Sequence, residues 1–112
     1  KHRSEMKYDP IEILKALSNP SRVGILKEIY KTDVRGCCDE NPSWDKCSCV
    51  GDIVEKFHLA PSTISHHMKE LSRAGLIRVS KEGQFVRVVP NPEALRNVVE
   101  FMEEIMKSGQ KA

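Results

Sequence analysis

The sequence predicts a mainly helical chain with one small β-hairpin, an α+β fold, and three observations lead there. Apolar residues recur at helical spacing in five segments of the 112-residue chain. Four of those segments open on a proline one place after a helix boundary: Asp9-Pro10, Asn19-Pro20, Ala60-Pro61 and Asn91-Pro92. Proline is at ease in the first turn of a helix, where its missing N–H has no partner to lose. Near the C-terminal third, two β-branched runs, Ile77-Arg78-Val79-Ser80 and Phe85-Val86-Arg87-Val88-Val89, flank the glycine-bearing turn Lys81-Glu82-Gly83-Gln84. That pattern is a hairpin.

Taken in order, the first helix follows Asp9-Pro10 and carries Ile11, Leu14 and Leu17. The second follows Asn19-Pro20, with Val23, Leu26 and Ile29 turned inward. Residues 31–49 form a cysteine-bearing insertion. Cys49 to Phe57 then reads as a short amphipathic helix with Val50, Ile53, Val54 and Phe57 inward. It is tied to the next helix through His58-Leu59-Ala60-Pro61. Two helices joined by so short a turn make a helix-turn-helix over residues 50–75. Gly75 stands where a left-handed residue ends the second of them at least cost. A helix-turn-helix followed by a hairpin over residues 77–89 is a winged helix-turn-helix. The last helix, residues 91–107, carries Leu95, Val98, Val99, Met102, Ile105 and Met106 at helical spacing. That stripe is wide for a terminal helix of so small a single domain, and pairing of two copies is a common remedy. Ile11 and Leu14 on the first helix, with Leu95, Val98, Val99, Met102 and Ile105 on the last, are therefore expected to form a homodimer interface.

The helix starting at Pro61 carries the functional reading. Ile64, Met68 and Leu71 share its apolar stripe, while Ser62, Ser65, His66, Lys69 and Arg73 share the other. Short donors near the start with cations behind them suit a major groove, where base edges and phosphates are reached together. Thr63 belongs with this set. Lys81 and Gln84 at the hairpin tip, and Arg87 alternating with Val86 and Val88, extend it onto the wing. His67 falls toward the inner edge, where a structural hydrogen bond is expected. The first seven residues read as an arm able to lend positive charge to DNA binding.

The formal net charge of +2 matters less than where the charges lie. Between His58 and Pro90, Lys69, Arg73, Arg78, Lys81 and Arg87 outnumber Glu70 and Glu82. Between Thr32 and Glu55 the balance reverses, and all four cysteines, Cys37, Cys38, Cys47 and Cys49, lie in that acidic stretch. Clustered thiols in an otherwise cysteine-free chain point to thiolate chemistry rather than packing. Three chemistries fit. The thiolates could bind a soft ion, such as Zn, Cd, Pb or As(III). They could cycle between dithiol and disulfide as a redox or reactive-sulfur sensor. Or they could hold a purely structural zinc. Trp44 is expected either to pack over this cluster or to anchor its loop. Because Cys49 begins the helix that supports the groove-reading one, an event at the thiols is expected to strain the DNA-binding scaffold.

The chain resembles the ArsR/SmtB family of metal-responsive winged-helix repressors. The resemblance is carried by Leu14-Lys15-Ala16-Leu17-Ser18-Asn19-Pro20-Ser21-Arg22-Val23-Gly24-Ile25-Leu26, by Ser62 through Leu71, and by Ala74-Gly75-Leu76-Ile77 with the wing after it. It implies a homodimer joined through the first and last helices, reading a palindromic operator near a resistance or efflux gene. Family members that sense on the supporting helix carry a Cys-Val-Cys-Asp-Leu-like run. Here the matching run is Cys49-Val50-Gly51-Asp52-Ile53, with Gly51 in place of the second thiolate and Cys47 two residues upstream. The insertion from Asp33 to Ser48 is atypical of the family. Other members bind zinc through Asp and His on the last helix; this last helix has no His, so that site is expected to be absent.

Enzyme chemistry is not expected. The sequence has no Gly-rich phosphate loop and no nucleophile–His–acid constellation. It also lacks an apolar run long enough to span a bilayer and a secretory pattern, so a cytoplasmic protein is expected.

Overall fold

Each of the four helices whose bounds are described begins on a proline. The computed structural model describes residues 8–31, 34–37, 56–82 and 85–109. Helix α1 spans Pro10–Ala16, α2 Pro20–Lys31, α3 Pro61–Arg73 and α4 Pro92–Ser108. Strands β1 (Val34–Cys37), β2 (Ile77–Glu82) and β3 (Phe85–Pro90) complete the order α1-α2-β1-α3-β2-β3-α4. Helix starts follow the sequence signals closely. The Asp9 carboxylate accepts from the Ile11 N–H at 3.0 Å, and the Asn19 side-chain oxygen accepts from the Arg22 N–H at 3.1 Å. Both satisfy donors that a first helical turn leaves open.

The end of α3 is a Schellman motif. The Leu76 N–H donates to the Leu71 carbonyl and the Gly75 N–H to the Ser72 carbonyl, both at 3.0 Å. Gly75 takes φ = +84° to close it. The chain then passes straight into β2, so the turn fixes the angle between α3 and the hairpin. At the other end of α3, His58 has φ = +57°, a left-handed residue in the tight turn before the helix. Lys56 and Phe57, just before it, are helical; the rest of the expected supporting helix lies outside the described residues.

The sheet has three antiparallel strands in the order β1-β3-β2. Strands β2 and β3 are the expected hairpin, in register from Ile77 opposite Pro90 to Glu82 opposite Phe85. Strand β1, which was not expected, lies within residues 31–49, the stretch read as a cysteine-bearing insertion. Val34 pairs with Val88 and Cys37 with Phe85. The segment Val-Arg-Gly-Cys has little intrinsic strand signal, and its pairing partner lies some fifty residues downstream.

The core lies where α1, α2, α3, α4 and the sheet meet. Ile13 from α1, Ile25 and Ile29 from α2, Ile64, Met68 and Leu71 from α3, Leu76 from the turn after α3, and Ile77 and Val88 from the sheet are almost wholly buried. Helix α4 supplies Ala94 and Val98. Val98 corrects one expectation: at 5% exposure it belongs to the chain's own core rather than to a free face. Leu14 and Leu95 are partly buried against the same core. The remaining residues of the expected interface stand open: Ile11, Val99, Met102 and Ile105 are exposed, with Met106 beside them. The stripe on α4 therefore divides, its first turns facing the core and its last turns facing out. Among the described residues no helix is long and apolar enough to cross a membrane.

Candidate nucleic-acid interface

Helix α3 buries a wider sector than its apolar stripe alone. Ile64, Met68 and Leu71 have no exposed surface, and Ser65 and His67 are buried beside them. Ser62, Thr63, His66, Lys69 and Arg73 are exposed along the opposite side. Of the residues expected to read a groove, Ser65 is thus misplaced. It precedes Met68 by three residues, which puts it at the border of the buried stripe. At 3% exposure it points inward, and its hydroxyl has no hydrogen-bond partner among the described residues. A buried, unpaired hydroxyl costs stability, so Ser65→Ala is expected to leave stability unchanged or raise it by up to about 1 kcal/mol. DNA affinity should stay the same. Chemical denaturation and a DNA titration on the one variant check both outcomes.

The exposed cations are not all equally committed. Arg73 lies 3.7 Å from Glu70, in a solvent-exposed pair of little net worth. A phosphate can therefore recruit Arg73 at small cost. Lys69 makes no ion pair among the described residues. On the wing, Arg87 is half-buried and already engaged in an interaction. The Lys81 and Cys37 side chains lie outside the described ones, as do Gln84, Cys38, Cys47 and Cys49 altogether. Among the described residues no group of three or more His, Cys, Asp or Glu could hold a metal ion.

Two hydrogen-bonded clips position α3, and neither is evident from local sequence. In the first, the Arg22 Nε donates to His67 Nδ1 at 3.2 Å and Arg22 Nη1 donates to the Ala16 carbonyl at 3.2 Å. This bond needs an unprotonated Nδ1 on His67. Burial first, then the charge of Arg22 and of His66, holds the His67 imidazole below its usual range. The end of α1, the start of α2 and the middle of α3 are thereby joined. The structural hydrogen bond expected of His67 is present, with Arg22 as its donor.

In the second clip, the Asn91 side-chain amide donates to the Gly75 carbonyl and to the Tyr8 hydroxyl, each at 2.8 Å. The Tyr8 hydroxyl lies 3.4 Å from the Glu93 carboxylate. The Asn91 amide, and then Arg78, hold the Tyr8 phenol below the usual tyrosine range. Asn91 resembles a helix cap in the sequence, yet it makes no side-chain capping bond to α4. Its amide reaches back to the turn between α3 and the wing instead. Asn91 is 6% exposed, consistent with that inward role.

Comparison with known proteins agrees with this geometry. The family model described as "Bacterial regulatory protein, arsR family" matches residues 45–79. The uncharacterized HTH-type transcriptional regulator YbzH of Bacillus subtilis is 32% identical over 96 residues, covering 85% of this chain and 96% of that protein. An arsenical resistance operon repressor of Staphylococcus xylosus is 34% identical over 98 residues, covering 88% of this chain and 81% of that one. Among solved structures, an ArsR-like transcriptional regulator from Rhodococcus sp. RHA1 superposes with a TM-score of 0.68 at 19% identity, over 88% of this chain and 80% of that one. HlyU from Vibrio cholerae superposes with a TM-score of 0.56 at 23% identity, over 85% and 88% of the two chains. The chain belongs to the ArsR family of helix-turn-helix transcriptional regulators. It is a DNA-binding regulator and not an enzyme.

Proposed function

We propose that this protein is a homodimeric repressor that reads a palindromic operator through the exposed face of α3 and releases it when a thiophilic metal or metalloid binds its cysteines. One observation carries the reading: Ser62, Thr63, His66, Lys69 and Arg73 line the open side of a helix whose other side is locked into the core. The residue types match what a major groove offers, with cations for phosphate and short donors for base edges. Lys81, Gln84 and Arg87 would add wing contacts. The exposed apolar residues Ile11, Val99, Met102 and Ile105 would bury against a second copy, aligning two α3 helices with two half-sites.

The ligand half of the proposal rests on Cys37, Cys38, Cys47 and Cys49, a thiol set suited to Zn, Cd, Pb or As(III). Two relatives named as arsenical resistance operon repressors, 34% and 31% identical, support a metalloid among these. Cys37 closes β1, whose partner β3 is a wing strand. An ion gathering the thiols would therefore act on the wing as well as on the helix expected to begin at Cys49. Such negative coupling is typically worth about 1–3 kcal/mol, or about 5- to 150-fold in operator affinity.

The test starts from a duplex that the protein itself selects from a random DNA pool. The logarithm of the affinity should fall linearly with the logarithm of salt concentration, and Lys69→Ala should weaken every duplex and reduce that slope by about one. The complex is then titrated anaerobically with As(III), Pb(II), Cd(II) and Zn(II). Thiolate-to-metal absorption should rise as DNA is released, and replacing all four cysteines by serine should abolish release but not binding. Release by oxidant with recovery in reductant, and none by any ion, would replace the metal reading with a redox one. Cysteine variants still released by ions would overturn both.

A further inference from the structure

An open groove of about 540 Å³ runs between the end of α1, the length of α2 and the start of α4. Its volume falls within the span of small-molecule sites, about 300–1,000 Å³. Leu17, Val23, Leu26 and Leu95 form the walls, which offer nothing to a polar ligand. Water against such walls is released favourably when an aliphatic group takes its place. The rim is different. Lys27 and Lys31 line it one helical turn apart on the same face of α2, both exposed. Neither makes an ion pair among the described residues.

Tyr30 completes the rim at 41% exposure. Partial burial raises its phenol, with Arg96 close enough to oppose that shift, so the hydroxyl remains a donor at neutral pH. Among the described residues no acidic side chain lines the groove. The arrangement is an aliphatic trough ending in two ammonium groups and one phenol.

We infer that this groove binds an amphipathic anion, an unbranched aliphatic carboxylate whose tail lies along Leu17, Val23, Leu26 and Leu95 and whose head is held by Lys27 and Lys31. The walls select for chain length and the rim selects for negative charge. A cationic or neutral amphiphile of equal length would satisfy the walls and leave the two ammonium groups unmatched. None of the lining residues belongs to the exposed face of α3 and none is a cysteine, so the test below depends neither on operator binding nor on the thiols.

The 112-residue chain, labelled with nitrogen-15, is titrated with hexanoate, octanoate and decanoate below their micelle-forming concentrations. Decanol and decyltrimethylammonium serve as charge controls. Binding should be saturable, should move the amide signals of Leu26, Tyr30 and Leu95, and should tighten about fourfold per added methylene. Decanoate should bind more tightly than decanol, and decyltrimethylammonium most weakly. Lys27→Gln with Lys31→Gln, both at exposed positions, should erase the preference for decanoate over decanol while leaving decanol binding intact. Equal binding of the three ten-carbon probes would overturn the proposal. So would groove amides that shift only on dilution of the protein and ignore decanoate, since a second copy would then be the occupant.

Discussion

Gly75→Ala is expected to destabilise the fold by about 2–5 kcal/mol, from two separate causes. A non-glycine residue held at φ = +84° costs roughly 1–2 kcal/mol in backbone strain. The new methyl would also stand 2.8 Å from two carbons of the Tyr8 ring, closer than real side-chain contacts come. Forcing the ring aside adds roughly 1–3 kcal/mol, the usual cost of overpacking. The ring cannot simply leave, because the Tyr8 hydroxyl is the acceptor for Asn91, which also holds the Gly75 carbonyl. Urea denaturation should show a lower midpoint at unchanged slope. A double-mutant cycle separates the causes: with Tyr8→Ala in place, the cost of Gly75→Ala should fall to the strain alone. Strictly additive effects would mean that the Tyr8 ring is no obstacle. The same variant should lose DNA affinity out of proportion to its lost stability, since this turn sets the angle between α3 and the wing.

That turn also illustrates what was legible in the sequence. Gly75 as a helix terminator, and prolines as helix openers, are local signals, and every one of them holds in the structure. The stripe of Ile64, Met68 and Leu71 is legible for the same reason, because 3.6-residue spacing is a property of the helix itself. The misreadings all involve distant partners. Ser65 sits one step from the apolar stripe, and only the packing around α3 decides that the border turns inward. Asn91 marks the start of α4 as expected; what local sequence does not show is that its amide bonds to residues 16 and 83 positions away. β1 depends on β3 for its existence as a strand. Val98 belongs to a stripe that is continuous in sequence and divided in space, because the core ends partway along α4. The groove beside α2 was not foreseen, since its walls come from three helices.

Arg22→Leu is expected to destabilise the protein by about 2–4 kcal/mol and to change how its stability responds to acid. Arg22 donates to His67 and to the Ala16 carbonyl, and hydrogen bonds from a charged donor are worth about 1.5–3 kcal/mol each, less where water reaches them. Leucine keeps much of the bulk, so the loss measures the bonds rather than a cavity. The pH effect follows from His67. Its imidazole pKa is lowered in the fold, so the unfolded chain takes up a proton first as pH falls. The stability due to neutral His67 is full above the ordinary imidazole value of about 6.5 and is lost as pH falls from there to the lowered value. Burial, the first cause of the shift, remains in Arg22→Leu, while the charge of Arg22 is gone. The acid-sensitive window should therefore narrow without closing. His67→Gln, which retains an acceptor for Arg22 but no titrating ring, should remove that group's contribution from the window altogether. Urea midpoints between about pH 8 and pH 5 measure all three proteins on one scale. An unchanged acid slope in Arg22→Leu would separate His67 from Arg22 and leave α3 without this anchor. A reduced slope would tie the protonation state of one buried imidazole to the seating of the helix that faces DNA.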